Sequence, residues 1–193
     1  MNTQSQTLDD LMAHAQHYAE FALRYGGQVP PTAMLVAPGG LVKCVTGNLP
    51  TEPAKDHFAS TVRTLAVAHD AKAVVMVLES WALSAPPGGT LNPDVRPSQA
   101  PDRQEVVALI GEAPGIQQAT FLTILRTISG TFAGFGEPRM QHCDHAEGRF
   151  AQILPISPPT PEEKARARAI LQAQGMREQR PARKPRTTAG YWH

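Results

Sequence analysis

KAVVMVLESWALSAPPGGTLNPDVRPSQAPDRQEVVALIGE, residues 72–112, decides how the chain is put together. The runs VVMVL (74–78) and VVALI (106–110) have the length and β-branched content of buried strands. A polar excursion rich in proline and glycine separates them, and a loop of roughly twenty residues inside a domain is usually functional or unstructured. At one mouth of the excursion stand Glu79, Ser80 and Trp81, and at the other Asp102, Arg103 and Glu105. Side chains alternate along a strand, so Arg103 and Glu105 share one face and Asp102 takes the other.

Upstream, residues 8–25 have the pattern of an amphipathic helix. Thr7 is placed to cap it, Asp10 sits in the reciprocal position, and Leu8, Leu11, Met12, Ala15, Ala19, Ala22 and Leu23 recur at helical spacing. Gly26-Gly27 ends it. TAMLVA and LVKCVT, joined at Pro38-Gly39-Gly40, form a hairpin. The glycine turn leads into another strand rather than a helix, which disfavours phosphate binding. Thr51-Glu52-Pro53 opens a second helix over 52–69 that buries Phe58, Val62, Leu65 and Ala66.

Downstream, Pro114-Gly115 is a turn, ATFLTILRTI (119–128) a long strand and TFAGF (131–135) a shorter one. GEPRMQHCDHAEGRF reads as a polar surface loop, and RFAQILPI (149–156) as a last edge strand. Thr160, Pro161 and Glu163 form a capping signature for a helix over 161–174, whose sparse apolar content predicts weak packing. The expected fold class is α+β: one mixed or antiparallel sheet with the two N-terminal helices packed on one face. Residues 1–158 form the domain, 159–175 a C-terminal helix and 176–193 a basic extended or disordered tail.

A chain of 193 residues with 41% apolar and 18% charged residues suits one domain with a real core. Its opening, MNTQSQTLDD, is polar and acidic, and no run approaches the roughly 20 apolar residues of a membrane span. A cytoplasmic location is expected, with Cys44 and Cys143 as free thiols.

The mouths of the excursion carry the leading candidate site. Trp81 offers an aromatic wall, while Arg96 and Arg103 offer planar donors to a carboxylate or phosphate. Glu79 and Glu105 complete a set for a protein partner or a small anionic ligand. The competing structural reading pairs Glu79 with Arg103 across neighbouring strands. An enzymatic alternative takes Glu79 as acid or base and Arg103 as anion clamp, which requires a shifted pKa and a positioned substrate.

His142, Cys143 and His145 are the densest group of metal-ligand types, but they are bunched rather than split into the paired spacing of zinc sites. The leading expectation includes neither a metal nor a cofactor, and a metal-binding protein that uses His142, Cys143 and His145 stands as a further alternative. His14, His17, His57 and His69 read as surface or helix-boundary residues. The tail carries Arg177, Arg180, Arg183, Lys184 and Arg186 with Pro181 and Pro185, a composition that contacts nucleic-acid phosphates without reading sequence. Tyr191 and Trp192 are positioned to stack on exposed bases.

Within 77–107, the pattern LESWAL…RPSQAPDRQEVV resembles small uncharacterised proteins of bacterial phage and plasmid neighbourhoods. The resemblance implies an accessory role rather than a metabolic activity, and it transfers no functional residues. The expectation is a non-enzymatic binding or accessory protein with its site at 79–105.

Overall fold

The computed structural model describes residues 3–38, 42–83, 95–142 and 148–176. Their elements run α1 (Thr3–Gly26), β1 (Thr32–Val36), β2 (Val42–Thr46), α2 (Glu52–His69), β3 (Ala73–Ala82), a 3-10 turn (Pro97–Gln99), β4 (Gln104–Ala113), β5 (Ile116–Arg126), β6 (Phe132–Phe135), β7 (Arg139–His142) and α3 (Pro161–Ala173). The strands form one sheet in the order β2-β1-β3-β4-β5-β6, with β7 also paired to β5. Every pairing is antiparallel. The α+β class and the single antiparallel sheet are therefore as the sequence indicates.

The two N-terminal helices do not share a face. Leu8, Leu11, Met12, Ala15, Ala19 and Leu23 of α1 pack against Met34, Val36, Val75, Val77, Val107 and Leu109. Phe58, Val62, Leu65 and Ala66 of α2 pack against the alternate residues, Ala33, Leu35, Val74 and Met76. The cause is the composition of the central strands: β1 is buried at all five positions and β3 at its first five. A strand that is apolar without alternation needs cover on both sides. The connectivity agrees, since β2 and β3 flank β1, and α2, which joins them, must cross one face. That leaves the other to α1.

Close approach on each face depends on a missing side chain. A Cβ built on Gly111 would lie 2.8 Å from Met12 Sδ, and one on Gly47 would lie 2.7 Å from the Phe58 ring. Local signals act as read at α2, where Thr51 Oγ1 accepts from the Ala54 amide and Pro53 lies in the first turn. Asp70 closes that helix in the left-handed region at φ 52°. Helix α1 begins at Thr3, before Thr7, so Thr7 lies within the helix instead of capping it.

Three C-terminal expectations change. The segment 139–142 is not loop but β7, whose Arg139, Met140, Gln141 and His142 pair with Phe121, Thr120, Ala119 and Gln118. This half of β5's outer edge is left unpaired by β6, which takes residues 124–126. The segment 149–156 is not an edge strand. The amides of Ile153 and Leu154, which a ladder would require, donate instead to Glu112 Oε2 at 2.8 and 3.1 Å. The Arg63 guanidinium takes the carbonyls of Arg149, Ala151 and Gln152.

Helix α3 does not stand apart. Its Thr160–Glu163 capping box forms in full, Ala167 and Leu171 are buried, and Lys164 meets Asp70 at 3.2 Å. Among the described residues, no helix is long and apolar enough to cross a membrane.

Candidate functional site

Strands β3 and β4 run past the C-terminal end of α1, and the charged residues at the excursion's mouths fall on that overhang. In the β3–β4 register Glu79 faces Val107 and Trp81 faces Glu105, so all four share the α1 side of the sheet with Val77 and Leu109. The structure thus brings together Glu79, Trp81, Arg103 and Glu105, four of the five residues singled out at 79–105.

Their partners differ from the expected ones. Glu79 does not pair with Arg103: its Oε2 accepts the Val29 amide at 2.7 Å, tying strand β3 to the chain leaving α1. Arg103 stacks on Trp81, its guanidinium carbon 4.7 Å from the ring centroid, and donates to the Ser98 carbonyl at 3.0 Å. Glu105 takes a two-pronged ion pair from Arg126, at 2.6 and 2.7 Å. Those hydrogen bonds hold the Glu105 carboxyl below its ordinary pKa against the opposing effect of partial burial, and a hydrogen bond with Glu79 adds to the lowering. The same ion pair raises the pKa of Arg126.

Arg126 is the residue that sequence reading missed. The signal was present, because the two-residue turn at Pro114-Gly115 fixes the β4–β5 register through to Val106 facing Thr123. Extending that register by one step puts Arg126 diagonally across from Glu105, on the same face. Arg96 is not part of the cluster: it is exposed and leads into the 3-10 turn, where its carbonyl accepts from Gln99.

The cluster continues across the sheet. Arg126 faces Phe132 in the β5–β6 register, the Arg24 guanidinium lies 5.6 Å from the Phe132 ring, and Phe21 and Tyr25 stack at 4.6 Å on the same helix. A row of arginines and aromatics therefore runs from Arg103 and Trp81 to the outer side of α1. Trp81, Phe21 and Tyr25 are exposed at 41, 62 and 78%. The formal charges along the row balance, Arg24, Arg103 and Arg126 against Glu20, Glu79 and Glu105, with Glu105 meeting Arg126 at 2.6 Å and Glu20 meeting Arg24 at 2.7 Å.

Among the described residues, no three His, Cys, Asp or Glu side chains converge on a possible metal position. Cys143 and His145 lie outside the described residues, and only the backbone of His142 is described, in β7. Arg177, Arg180, Arg183, Lys184 and Arg186 also lie outside them. Cys44 is an exposed thiol on β2. Compared with family models, with curated proteins and with solved structures, the chain finds no match.

Proposed function

We propose that the chain is a binding or accessory protein that docks a partner protein on the row running from Trp81 and Arg103 to Phe21 and Tyr25. The observation that carries this reading is the exposed Trp81–Arg103 stack at the end of that row. Tryptophan, tyrosine and arginine are the side chains most enriched where binding energy concentrates. The carboxylates beside them have structural work, Glu79 on the Val29 amide and Glu105 on Arg126, which favours a rigid docking face over an acid–base site. The charge balance of the row favours a protein surface over a polyanion. The basic residues 177–186 add a separate electrostatic contact with nucleic acid in this reading, and removing residues 177–193 should abolish salt-sensitive binding to a short oligonucleotide.

The test compares full-length protein with its Trp81→Ala and Arg103→Ala variants, each first shown to melt as the parent does. Partners captured from an extract are purified and titrated calorimetrically against all three. A loss of at least about 30-fold in affinity, the weight of a hot-spot residue of about 2 kcal/mol, is expected from Trp81→Ala. Partners that bind all three forms equally would overturn the assignment.

A further inference from the structure

On the face of the sheet opposite α1, a cleft of about 810 Å3 opens between residues 78–80 of β3 and 108–110 of β4, the 28–31 and 47–50 segments and the 149–150 turn. A volume of roughly 300–1,000 Å3 with apolar walls and a few convergent polar groups is typical of small-molecule sites. Leu78, Ala108 and Ile110 supply apolar lining from the sheet, and Phe150 supplies it from the opposite wall. Two cations, Lys55 and Arg149, line it as well.

The placement of the neighbouring charges gives the cleft its polarity. Lys55 meets Glu52 at 2.6 Å, and Arg149 meets Glu52 and Asp56 at 2.7 and 2.6 Å. The side chains of Glu52 and Asp56 are each 65% exposed and neither residue lines the cleft, whereas Lys55 and Arg149 both do. The acidic residue that does border it, Glu79, has its side chain on the α1 side of the sheet by strand alternation, where its Oε2 accepts the Val29 amide. Because both cations are already paired, one added negative charge suits them better than two.

The wall is also held in place. Arg149 and Phe150 belong to the turn whose carbonyls Arg63 grips and whose continuation at Ile153 and Leu154 is latched by Glu112. A preformed wall spares a ligand part of the ordering cost of binding.

We infer that this cleft binds an organic monoanion, with its apolar body against Leu78, Ala108, Ile110 and Phe150 and its carboxylate at Lys55 and Arg149. This site is separate from the docking row, and its occupancy does not depend on that reading.

The test titrates the full-length protein calorimetrically with decanoate and 2-naphthoate. The uncharged alcohols and cationic amines of the same bodies serve as controls, and methyl shifts of Leu78 and Ile110 locate the ligand. At least one carboxylate should bind tenfold or more tighter than its alcohol and its amine, with the shifts confined to methyls that line the cleft, those of Val29, Leu49, Leu78, Ala108 and Ile110. Lys55→Met should remove that preference while leaving alcohol binding unchanged. Ala108→Trp, which fills the cleft, should abolish binding of all three. The inference is overturned by carboxylates that bind no better than their controls, by shifts elsewhere, or by a preference that survives Lys55→Met in a variant with parental melting.

Discussion

Replacing Glu112 by leucine removes the acceptor that two consecutive amides depend on. Glu112 is 4% exposed, and its Oε2 receives the Ile153 and Leu154 amides while Oε1 is buried without a hydrogen-bond partner. Each buried amide left without an acceptor costs about 1–3 kcal/mol, so the gross loss is roughly 2–6 kcal/mol. Against this, the substitution removes a buried carboxylate with one unsatisfied oxygen, which refunds a few kcal/mol.

The net expectation is a loss of about 2–3 kcal/mol, a fall in melting temperature of roughly 4–12 °C for a domain of this size. Urea unfolding supplies the free energy, and hydrogen exchange supplies the location. The amides of Ile153 and Leu154 should lose protection well beyond the global change, while those of β3 and β4 follow the global change alone. A variant as stable as the parent, with both amides still protected, would refute the latch. It would mean that neighbouring apolar packing holds the segment unaided.

Two further outcomes follow from the same reasoning. The pKa of Glu105 is lowered in the folded protein, so its stabilising effect is complete above the unfolded carboxylate value of about 4.3 and disappears as pH falls through the lowered value. Glu105→Gln should therefore narrow the stability difference between pH 7 and pH 3 in urea titrations, and an unchanged difference would assign the acid sensitivity elsewhere. Gly47→Ala should cost about 1–3 kcal/mol, because its Cβ meets the buried Phe58 ring at 2.7 Å. Gly111→Ala should cost less, because its contacts are the far ends of Met12 and Leu8; thermal melts of the two variants give the order.

Much of the architecture is legible from residues whose local chemistry and burial agree. Thr51 and Pro53 start α2, Thr160 and Glu163 start α3, and the β-branched runs of β3 and β4 form strands where the composition places them. The elements that misled are those whose state is imposed from elsewhere. RMQH has no alternation to mark it, and it is extended because β5 has an open edge beside it. RFAQILPI has the composition of a strand, but a carboxylate and a guanidinium from other elements take its amides and carbonyls. At the candidate site the alternation rule places Arg103 and Glu105 on one face, as the structure has them. Pairing was not legible in the same way, since it depends on where α1 ends and on how far β5 extends: Val29 claims Glu79 and Arg126 claims Glu105.

The way β5 is bordered also bears on how this protein behaves when concentrated. The outer side of β5, an eleven-residue strand, is met by two four-residue strands, β6 and β7, with Gly136, Glu137 and Pro138 between them. At the opposite margin of the sheet lies β2, with five residues. Among the described residues, a second chain seeking to extend the sheet would find a short ledge on one side and an interrupted one on the other, neither of which offers a long continuous row of unpaired amides and carbonyls. Copies of this chain are thereby discouraged from fusing strand to strand, and the long central strands stay inside each molecule.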